Sequence, residues 1–470
     1  MPPIRAARTV LLMSLSLAAL SAPLTLGAAP AGQAPQGSAR QVDAPLSFEA
    51  ALARFHDRAD LFRAQEADVA RAEHASEAAK WLGGPKVDVA ALQIEGRKSL
   101  SINANVPVLG MSVPFSLNED FDIGGPRAAV TAVWPIYTGG AVAAEQNVLK
   151  GKAAEARAAR SALYAAEDAG LALVYWRTQL ARSIETLRRN ALADEEEALR
   201  RAKSFEKEGL ISKIERMTVE VSRDAARRAL SAAGTEARVA ETELARALRD
   251  KVAPQLETPL FVLTGELGTL DDWKQRAQGA SPVLAQADAL ADQADQGVNA
   301  AKSAYKPQIF AFGMKNLVKH YLTIPEPDWI AGIGVKFTLW DNRDRASSVA
   351  AAESLREKAG AARAEAENDV LMAVEVAWMR TLEARNEYEL SASTVALARE
   401  NLRMREKSFA QGLSTALDVS SARTQMIGAE IARATAAYKF VAGWAALHSA
   451  AGAMSDFTAS LSRQDFVPVR

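Results

Sequence analysis

The sequence predicts an α+β membrane protein in which each chain gives four strands to a shared β-barrel and continues into very long helices. Three features indicate this class. Short segments of alternating polarity occur in pairs, a long Ala-rich segment without proline follows each pair, and the same order of elements is written twice. Four strands cannot close a barrel, and an open sheet edge in lipid leaves backbone groups unpaired. We therefore expect oligomerisation, and three copies would supply a closed barrel of twelve strands.

The N-terminal residues have the pattern of an export signal. Arg5 and Arg8 precede an apolar run over 10–20, which is shorter than the roughly 20 residues that a helical membrane span needs. We expect a signal peptide over residues 1–29. A flexible leader, rich in small and polar residues, is expected over 30–44.

Charge and cysteine usage exclude several classes of protein. The chain has 56 Lys and Arg residues against 57 Asp and Glu residues, so its charge gives no reason to expect a nucleic-acid partner. It contains no cysteine, which excludes disulfides and a lipid-modified N-terminal cysteine. No stretch after the signal is apolar and long enough to be a transmembrane helix, so insertion into a membrane would require strands.

Residues 45–250 form the first of two predicted repeats. A helix opens the repeat, and strands over 86–96 and 127–137 follow it. Both strands alternate in polarity and are long enough for a tilted strand to cross a bilayer, although a soluble sheet is the alternative for each of them. The repeat continues with a long helix over 140–208 and a further helix over 212–250.

The stretch between the first two strands is predicted to be a long loop. Residues 97–126 are rich in Asn, Ser, Gly and Pro, which favour turns over regular structure. The corresponding stretch of the second repeat, 318–328, is shorter. Long loops at one end of a sheet are typical of the outward face of a membrane barrel.

The long helices are predicted from composition and from a repeat of seven residues. In the first helix no proline occurs and the only glycines are Gly151 and Gly170, so a helix about 100 Å long is expected. Apolar residues that recur by sevens predict a coiled-coil seam on each long helix. These residues are Leu173, Leu180 and Leu187 in the first repeat and Leu390, Leu397 and Met404 in the second.

Residues 281–452 repeat the same design. The predicted elements are an opening helix, strands over 307–317 and 329–340, a long helix over 345–410, and a further helix over 414–450. A connector punctuated by Pro and Gly, 251–280, joins the two repeats and is expected to lie outside the regular helices. A C-terminal tail over 453–470 completes the chain.

A short phrase at the end of each long helix supports an internal duplication. KSFEKEGLIS begins at Lys203, and KSFAQGLST begins at Lys407. The glycine of each phrase can adopt the left-handed conformation that ends a helix, and Ser212 or Thr415 can cap the helix that follows. The sequence therefore predicts two helical hairpins with the same kind of tip.

Four motifs together resemble the TolC-like outer-membrane efflux proteins, the outer-membrane factors of tripartite efflux or type I secretion systems. The motifs are APLSFEAALARFHDRA at the first helix, Trp134-Pro135-Ile136-Tyr137-Thr138-Gly139-Gly140 at the first strand-to-helix junction, Phe337-Thr338-Leu339-Trp340-Asp341-Asn342-Arg343 at the second junction, and Gln411-Gly412-Leu413-Ser414-Thr415-Ala416-Leu417-Asp418-Val419 at the second tip. No single motif is diagnostic, but the resemblance runs from about Leu46 to Gly452 in the same order. It covers nearly the whole chain after the leader.

The resemblance implies a homotrimer in the outer membrane of a Gram-negative bacterium. Its twelve strands would form one barrel in contact with outer-membrane lipid, and a long α-helical barrel would extend from it into the periplasm. The helix tips would bind a periplasmic adaptor, or membrane fusion, protein and through it, indirectly, an inner-membrane pump. By resemblance, the adaptor-contacting residues are Gly209, Leu210 and Ser212 in the first repeat and Gly412, Leu413 and Thr415 in the second.

A periplasmic constriction is implied in the same way. Asp418 is similar to the first of two aspartates that ring the constriction in this family, whereas Ser421 stands at the second position. Glu215 occupies the matching place in the first repeat. The alternative for Asp418 is a solvated carboxylate near a helix start, where the helix dipole favours negative charge.

Other chemistry is not indicated by the sequence. The four histidines, for which we expect surface or packing roles, lack the spacing of metal ligands; they are His56, His74, His320 and His448. No phosphate-binding loop or nucleophile motif occurs, so no catalytic, cofactor or metal site is predicted and the chain is not expected to be an enzyme. Aromatic residues near strand ends suit interfacial girdles, with core packing as the alternative for Trp134; they are Trp134, Tyr137, Trp329 and Trp340.

The predicted function is therefore an outer-membrane exit duct that passively conducts substrates delivered by a periplasmic adaptor and an inner-membrane pump. One alternative is a periplasmic adaptor or another exported coiled-coil scaffold, which predicts a single hairpin and compact β domains. The other alternative, an exported enzyme, lacks a catalytic constellation. The duct residues do not specify the transported substrate.

Overall fold

The computed structural model describes residues 45–108, 111–320, 327–340, 342 and 344–469. The predicted signal peptide (1–29) and leader (30–44) lie outside the described residues. Asp341 and Arg343 of the second junction motif lie outside them as well.

Long helices dominate the chain. The helices are α1 (Phe48–Arg58), α2 (Asp60–Ala79), α3 (Ala141–Lys207), α4 (Lys213–Ala247), α5 (Leu270–Ala280), α6 (Pro282–Ser303), α7 (Arg345–Ala410), α8 (Ala416–Ala450) and α9 (Met454–Ala459). The strands are β1 (Lys86–Val108), β2 (Met111–Tyr137), β3 (Leu260–Leu263), β4 (Gln308–Asn316), β5 (Trp329–Lys336) and β6 (Phe466–Val469). Among the described residues, no helix combines the length and apolar character needed to cross a bilayer.

The two longest helices have nearly equal lengths. α3 has 67 residues and α7 has 66, so each extends about 100 Å. Their antiparallel partners α4 and α8 have 35 residues each and cover only the half that ends at the glycine turns. Over the other half, α3 packs against α2 and α6, and α7 packs against α6.

One antiparallel sheet lies at the opposite end of the long helices from the glycine turns. Its strand order is β1-β2-β4-β5, so β1 and β5 are its edges. The register of β1 and β2 is continuous from the pair Lys86 and Val133 to the pair Val108 and Met111. β4 pairs with the helix-proximal part of β2, from Ala129 to Tyr137.

The predicted loop over 97–126 is wrong, because these residues lie mostly in strands. β1 and β2 continue through this stretch as a two-stranded ribbon, with Ile102 opposite Leu117. Apolar and polar residues alternate there, as Leu100, Ser101, Ile102 and Asn103 illustrate, and this period is the signal of a strand. The prolines and glycines that favoured a loop are tolerated because the ribbon has no further strand on either side.

Other predicted boundaries also require correction. The predicted opening helix of the first repeat is two helices, because Ala59 between them has an extended backbone (φ −80°, ψ 120°). The connector over 251–280 contains β3 and α5, and the tail over 453–470 contains α9 and β6. β3 and β6 pair with each other across the length of the chain, a contact that local sequence patterns do not reveal. The strand predicted over 329–340 ends at Lys336.

The main core lies midway along the long helices, beside the β3–β6 sheet. Its largest buried side chains include Phe48, Tyr175, Trp176 and Phe457, whose rings contact one another. The Trp176 indole donates to the Pro259 carbonyl over 2.9 Å, and the Tyr175 hydroxyl donates to the Leu46 carbonyl over 2.6 Å. Buried aromatic groups with satisfied polar atoms thus anchor α3 to the segments around it.

The two faces of the four-stranded sheet differ in chemistry. One face, called here the uncharged face, carries small and apolar side chains, including Val87, Val89, Val130, Ala132, Trp134, Ile333 and Val335. Its one charged exception among the paired residues of β4 and β5 is Lys315, which lies opposite Val130 and Trp329. The opposite face, called here the charged face, carries Lys86, Asp88, Arg127 and Lys336 together with Phe310 and Phe312. Only one face of this sheet is therefore suited to contact with hydrocarbon.

Candidate functional site

The first candidate tip joins α3 to α4 through a glycine turn. α3 ends at Lys207, and Gly209 has φ +73°, in the left-handed region. The Leu210 amide donates back to the Phe205 carbonyl over 2.8 Å, which closes the helix end. Ser212 then caps α4, because its hydroxyl accepts from the Glu215 amide over 3.2 Å while the Glu215 carboxylate accepts from the Ser212 amide over 3.1 Å.

The second tip joins α7 to α8 with the same construction. Gly412 has φ +74°, and the Leu413 amide donates to the Ser408 carbonyl over 2.9 Å. The Thr415 hydroxyl accepts from the Asp418 amide over 3.2 Å, and the Asp418 carboxylate accepts from the Thr415 amide over 3.0 Å. Both tips are therefore rigid, hydrogen-bonded turns rather than open loops.

Each tip carries two exposed apolar side chains. Leu210 and Leu413 are 67% and 79% exposed. One helical turn further, at equivalent places in the two hairpins, Ile214 and Leu417 are also exposed. Ile214 and Leu417 were not predicted from the sequence, although the spacing of 203 residues that relates Gly209 to Gly412 also relates these two residues. Exposed apolar side chains on a rigid turn are suited to bind a partner protein.

The three predicted constriction residues lie within the first turns after the tips. Glu215 and Asp418 hold the same position in their capping boxes. Hydrogen bonds from the Thr415 backbone and hydroxyl, and from the Ser414 hydroxyl, lower the pKa of the Asp418 carboxyl below its usual value. Ser421, at the predicted second acidic position, is exposed on α8. Asp418 is therefore ionised at neutral pH and also caps α8.

A buried arginine, which the sequence analysis missed, connects the two hairpins above the tips. Arg423 on α8 is 7% exposed and donates to Glu195 on α3 over 3.1 Å and to Glu406 on α7 over 2.7 Å. Burial lowers the pKa of Arg423, but the two carboxylates raise it by more, so it remains charged. Removing one partner of such a buried pair costs about 3–5 kcal/mol. In the sequence, Arg423 is one arginine among many on a helix, and only the packing distinguishes it.

Few other contacts hold the hairpins together near the tips. The Ser420 hydroxyl donates to the Ser222 hydroxyl over 2.7 Å, between α8 and α4. A small apolar cluster of Leu199, Ala202, Val219 and Ala416 adds packing between the first hairpin and the start of α8. These contacts are small and partly polar, in contrast to the aromatic packing of the main core.

Comparison with known protein families gives a match to the second repeat of the chain. The profile of a family described as outer membrane efflux protein matches residues 273–453. Residues 273–453 of this chain are thus similar to the outer membrane efflux proteins, and they are called here the efflux protein domain. The match confirms the resemblance in the sequence, and the family description places such proteins in the outer membrane, as predicted. The family consists of transport proteins, which agrees with the expectation that the chain is not an enzyme. No curated protein sequence matches the chain.

Solved outer-membrane channels share the fold over almost the whole chain. The Vibrio cholerae protein VceC is 13% identical with a TM-score of 0.70, over 86% of this chain and 96% of that one. The open state of the Neisseria gonorrhoeae channel MtrE is 17% identical with a TM-score of 0.69, over 87% and 89% of the two chains. The Campylobacter jejuni channel CmeC is 12% identical with a TM-score of 0.68, over 94% and 98%.

The efflux protein domain contains one buried histidine, and its environment indicates packing. His448 is 2% exposed, its Nδ1 lies 2.9 Å from the Trp444 carbonyl oxygen, and its ring contacts Trp273, Trp444 and Phe457. Burial lowers its pKa to about 4, so the ring is neutral at neutral pH.

The remaining histidines lie elsewhere. His74 and His320 are exposed, and His56 Nε2 lies 2.5 Å from Asp168 Oδ1. Within the described ranges, no three residues of the types His, Cys, Asp and Glu are grouped to hold a metal ion.

The aromatic residues of the strand ends are exposed on the isolated chain. Trp134 and Trp329 lie toward opposite ends of the uncharged face of the sheet, and both are more than half exposed. The Trp134 indole donates to the Gly83 carbonyl over 3.0 Å, which ties the sheet to the turn after α2. Tyr137 and Trp340 lie at the junctions with the long helices, Trp340 within the efflux protein domain. Their role as interfacial girdles stays a prediction.

Proposed function

We propose that this chain is the outer-membrane exit duct of a tripartite efflux or type I secretion machine and that it works as a homotrimer. The observation that carries the proposal is the joining of a sheet with one largely apolar face to two very long hairpins that end in matching exposed tips. The outer membrane efflux protein domain and the fold shared with solved channels support the same role. The duct conducts passively, and energy comes from its partners.

The sheet edges support trimer formation. β1 and β5 each present one unpaired edge, and such edges cannot remain open in lipid. In our proposal, β5 of one protomer pairs with β1 of the next, and twelve strands close the barrel. The uncharged face then meets outer-membrane lipid, and the charged face lines the lumen.

Exposed stripes on the helices supply the protomer contact in the periplasm. The predicted seam residues Leu390, Leu397 and Met404 of α7 are not buried within the chain; they are 73%, 71% and 49% exposed. α4 exposes a stripe of Ile214, Met217 and Val221. Met217 and Val221 lie at distances from their tip similar to those of Met404 and Leu397 from theirs. We assign these two stripes to each other, so that α7 of one protomer packs against α4 of its neighbour in a twelve-helix barrel.

The tips are the proposed docking site for a periplasmic adaptor protein. Three residues of each turn form it, namely Gly209, Leu210 and Ser212 in the first and Gly412, Leu413 and Thr415 in the second. The glycines set the turn, the cap residues fix it, and the exposed leucines contact the adaptor. The inner-membrane pump is then reached only through the adaptor.

The periplasmic constriction is proposed to form where α4 and α8 begin. Asp418 from three protomers would place three carboxylates around the axis, with Glu215 at the equivalent place in the other hairpin. A ring of carboxylates favours cations and resists close approach at neutral pH. Ser421 contributes a hydroxyl where a second acidic ring would otherwise lie. The duplication predicted from the sequence explains why the two tips share one design.

The periplasmic adaptor or scaffold is the second candidate, and its predicted features do not fit the chain. It requires a single hairpin and compact β domains, whereas this chain has α3–α4 and α7–α8 and a strongly elongated sheet. No observation on the described residues favours it over the duct.

Fractionation and conductance test the proposed function. We expect the full chain in the outer-membrane fraction, a detergent-extracted mass of three copies, and ion conductance in planar bilayers. A matched control lacks both strands of the β1–β2 ribbon, from Lys86 to Tyr137, and should give no conductance. Recovery in the inner membrane or the soluble periplasm, or as a monomer, would overturn the proposal in favour of a scaffold.

A further inference from the structure

The β1–β2 ribbon reverses the polarity of its two faces partway along its length. We call its distal part, from Gln93 to Val108 and from Met111 to Pro126, the outer hairpin. On the side of the uncharged face, Val87 and Val89 give way to a polar series; its members are Gln93, Glu95, Ser99, Ser101, Asn103, Ser116 and Asn118. On the side of the charged face, Lys86 and Asp88 give way to an apolar series; its members are Ile94, Leu100, Ile102, Ala104, Phe115 and Leu117.

The reversal places the outer hairpin beyond the bilayer. The pairing register is continuous along the ribbon, so each series stays on one face of the ribbon. A polar series on the lipid side is not tolerated within hydrocarbon, and the ribbon therefore leaves the bilayer near Gln93. Sixteen residues of strand extend about 50 Å, so the outer hairpin projects well outside the membrane.

The apolar series of the outer hairpin is exposed on the single chain and would be stabilised by packing against another apolar surface. Leu100, Ile102 and Phe115 are 38%, 42% and 50% exposed on the chain. Ile102 lies opposite Leu117, and Ala104 lies opposite Phe115, so the series forms one continuous stripe. A two-stranded ribbon with an exposed apolar side is only marginally stable in water. A charged residue, Glu119, also lies on this side, opposite Leu100 toward the base of the stripe.

The direction in which the stripe leaves the sheet indicates what packs against it. At its base the stripe continues the charged face, which lines the lumen in the proposed duct, so the stripe leaves the sheet on the side of the trimer axis. We propose that the outer hairpins of three copies pack their apolar stripes against one another and narrow the mouth of the duct on the extracellular side. This inference rests on the trimeric duct proposed above. The polar series then faces outward to water, which accounts for both sides of the ribbon.

The absence of cysteine from the chain makes a direct test possible. Ile102→Cys places a thiol on the stripe, and Ser101→Cys, its neighbour on the opposite face, is the matched control. Under mild oxidation of intact cells, we expect Ile102→Cys to form disulfide-linked dimers, because a disulfide requires Cα atoms within about 7 Å. Ser101→Cys should stay unlinked. If Ile102→Cys folds poorly, Ala104→Cys on the stripe and Asn103→Cys on the opposite face serve as a second test variant and its control.

A conductance measurement tests the constriction itself. Linked Ile102→Cys channels should show at least a twofold lower conductance, restored by reductant, while Ser101→Cys channels should not respond. Two results would overturn the packing of the hairpins: equal disulfide formation by Ile102→Cys and Ser101→Cys, or no disulfide from Ile102→Cys in a trimer that is intact in detergent. Neither result would contradict the proposed duct. Failure of the unmodified chain to form a trimer would instead overturn the proposed function, and this inference with it.

Discussion

At the scale of single residues, His448 makes the stability of the aromatic core depend on pH. Its ring is buried among Trp273, Trp444 and Phe457, and its pKa is lowered to about 4 from a usual value of 6.5. The charges that act on it are those of Asp456, Arg276 and Arg463. The folded state therefore keeps His448 neutral where an unfolded chain would bind a proton.

We predict that stability falls as the pH is lowered from about 6.5 to about 4. In that window the unfolded state binds more protons than the folded state, so acid favours unfolding, by up to about 3 kcal/mol in total. His448→Gln should remove this part of the pH dependence, and His74→Gln, at an exposed position, should leave it unchanged. Thermal unfolding of both variants at pH 7 and pH 5 measures it. An unchanged pH dependence in His448→Gln would contradict the assignment.

The residues of the tips could be predicted from the sequence, whereas Arg423 could not. Gly209 and Ser212 act within their own turn, so local rules for helix ends are sufficient to find them. Arg423 acquires its role only when α3 and α7 bring Glu195 and Glu406 to it, from positions far apart in the chain. No short-range pattern carries that information.

At the scale of elements, the tips depend on two left-handed glycines. Proline fixes φ near −65° and cannot adopt the φ of +73° or +74° found at Gly209 and Gly412. We predict that Gly209→Pro combined with Gly412→Pro abolishes transport while trimers still reach the outer membrane, because the turns lie far from the barrel. Export in a strain that depends on this chain, and trimer content of its outer membrane, measure the two effects.

Alanine at the same positions is the matched control. Nothing lies within 4 Å of a Cβ added at either glycine, so Gly209→Ala and Gly412→Ala introduce only backbone strain of about 1 kcal/mol each. We expect these variants to retain most transport. Normal export by the double proline variant would show that the tips do not dock an adaptor.

Element prediction succeeded where one signal dominated and failed where two signals conflicted. Composition and length identify α3 and α7, because a long segment without proline has no other regular structure available. In the outer hairpin, the prolines and glycines indicate a loop, while the alternation of Leu100 to Asn103 indicates a strand. The alternation prevails because pairing with the other strand satisfies the backbone over the whole ribbon. β3 and β6 were missed since each is short and its partner is distant in sequence.

At the scale of the whole molecule, a single chain leaves the apolar stripes of α7 and α4 exposed to solvent. The α7 stripe of Leu390, Leu397 and Met404 is exposed, while the α4 stripe lies on the other hairpin. α8 contacts both α3 and α7, so α4 and α7 are the outer helices of the four-helix group near the tips. In the trimer proposed above, a closed ring of three such groups would bring α7 of one protomer to α4 of the next and cover both stripes at once.

We predict that a charge in the α7 stripe weakens the trimer without unfolding the chain. Leu397 is 71% exposed in a single chain, so Leu397→Glu costs little before assembly. In the trimer it removes about 2 kcal/mol of apolar burial at each interface and places a carboxylate there. The temperature at which detergent-solubilised trimers dissociate should fall well below that of Ala392→Glu, an exposed control about 140° around the same helix. Adding Val221→Lys to Leu397→Glu should restore part of the loss, because it places an opposite charge on the facing α4 stripe. Equal dissociation temperatures for Leu397→Glu and Ala392→Glu would show that α7 does not meet α4 of a neighbouring copy.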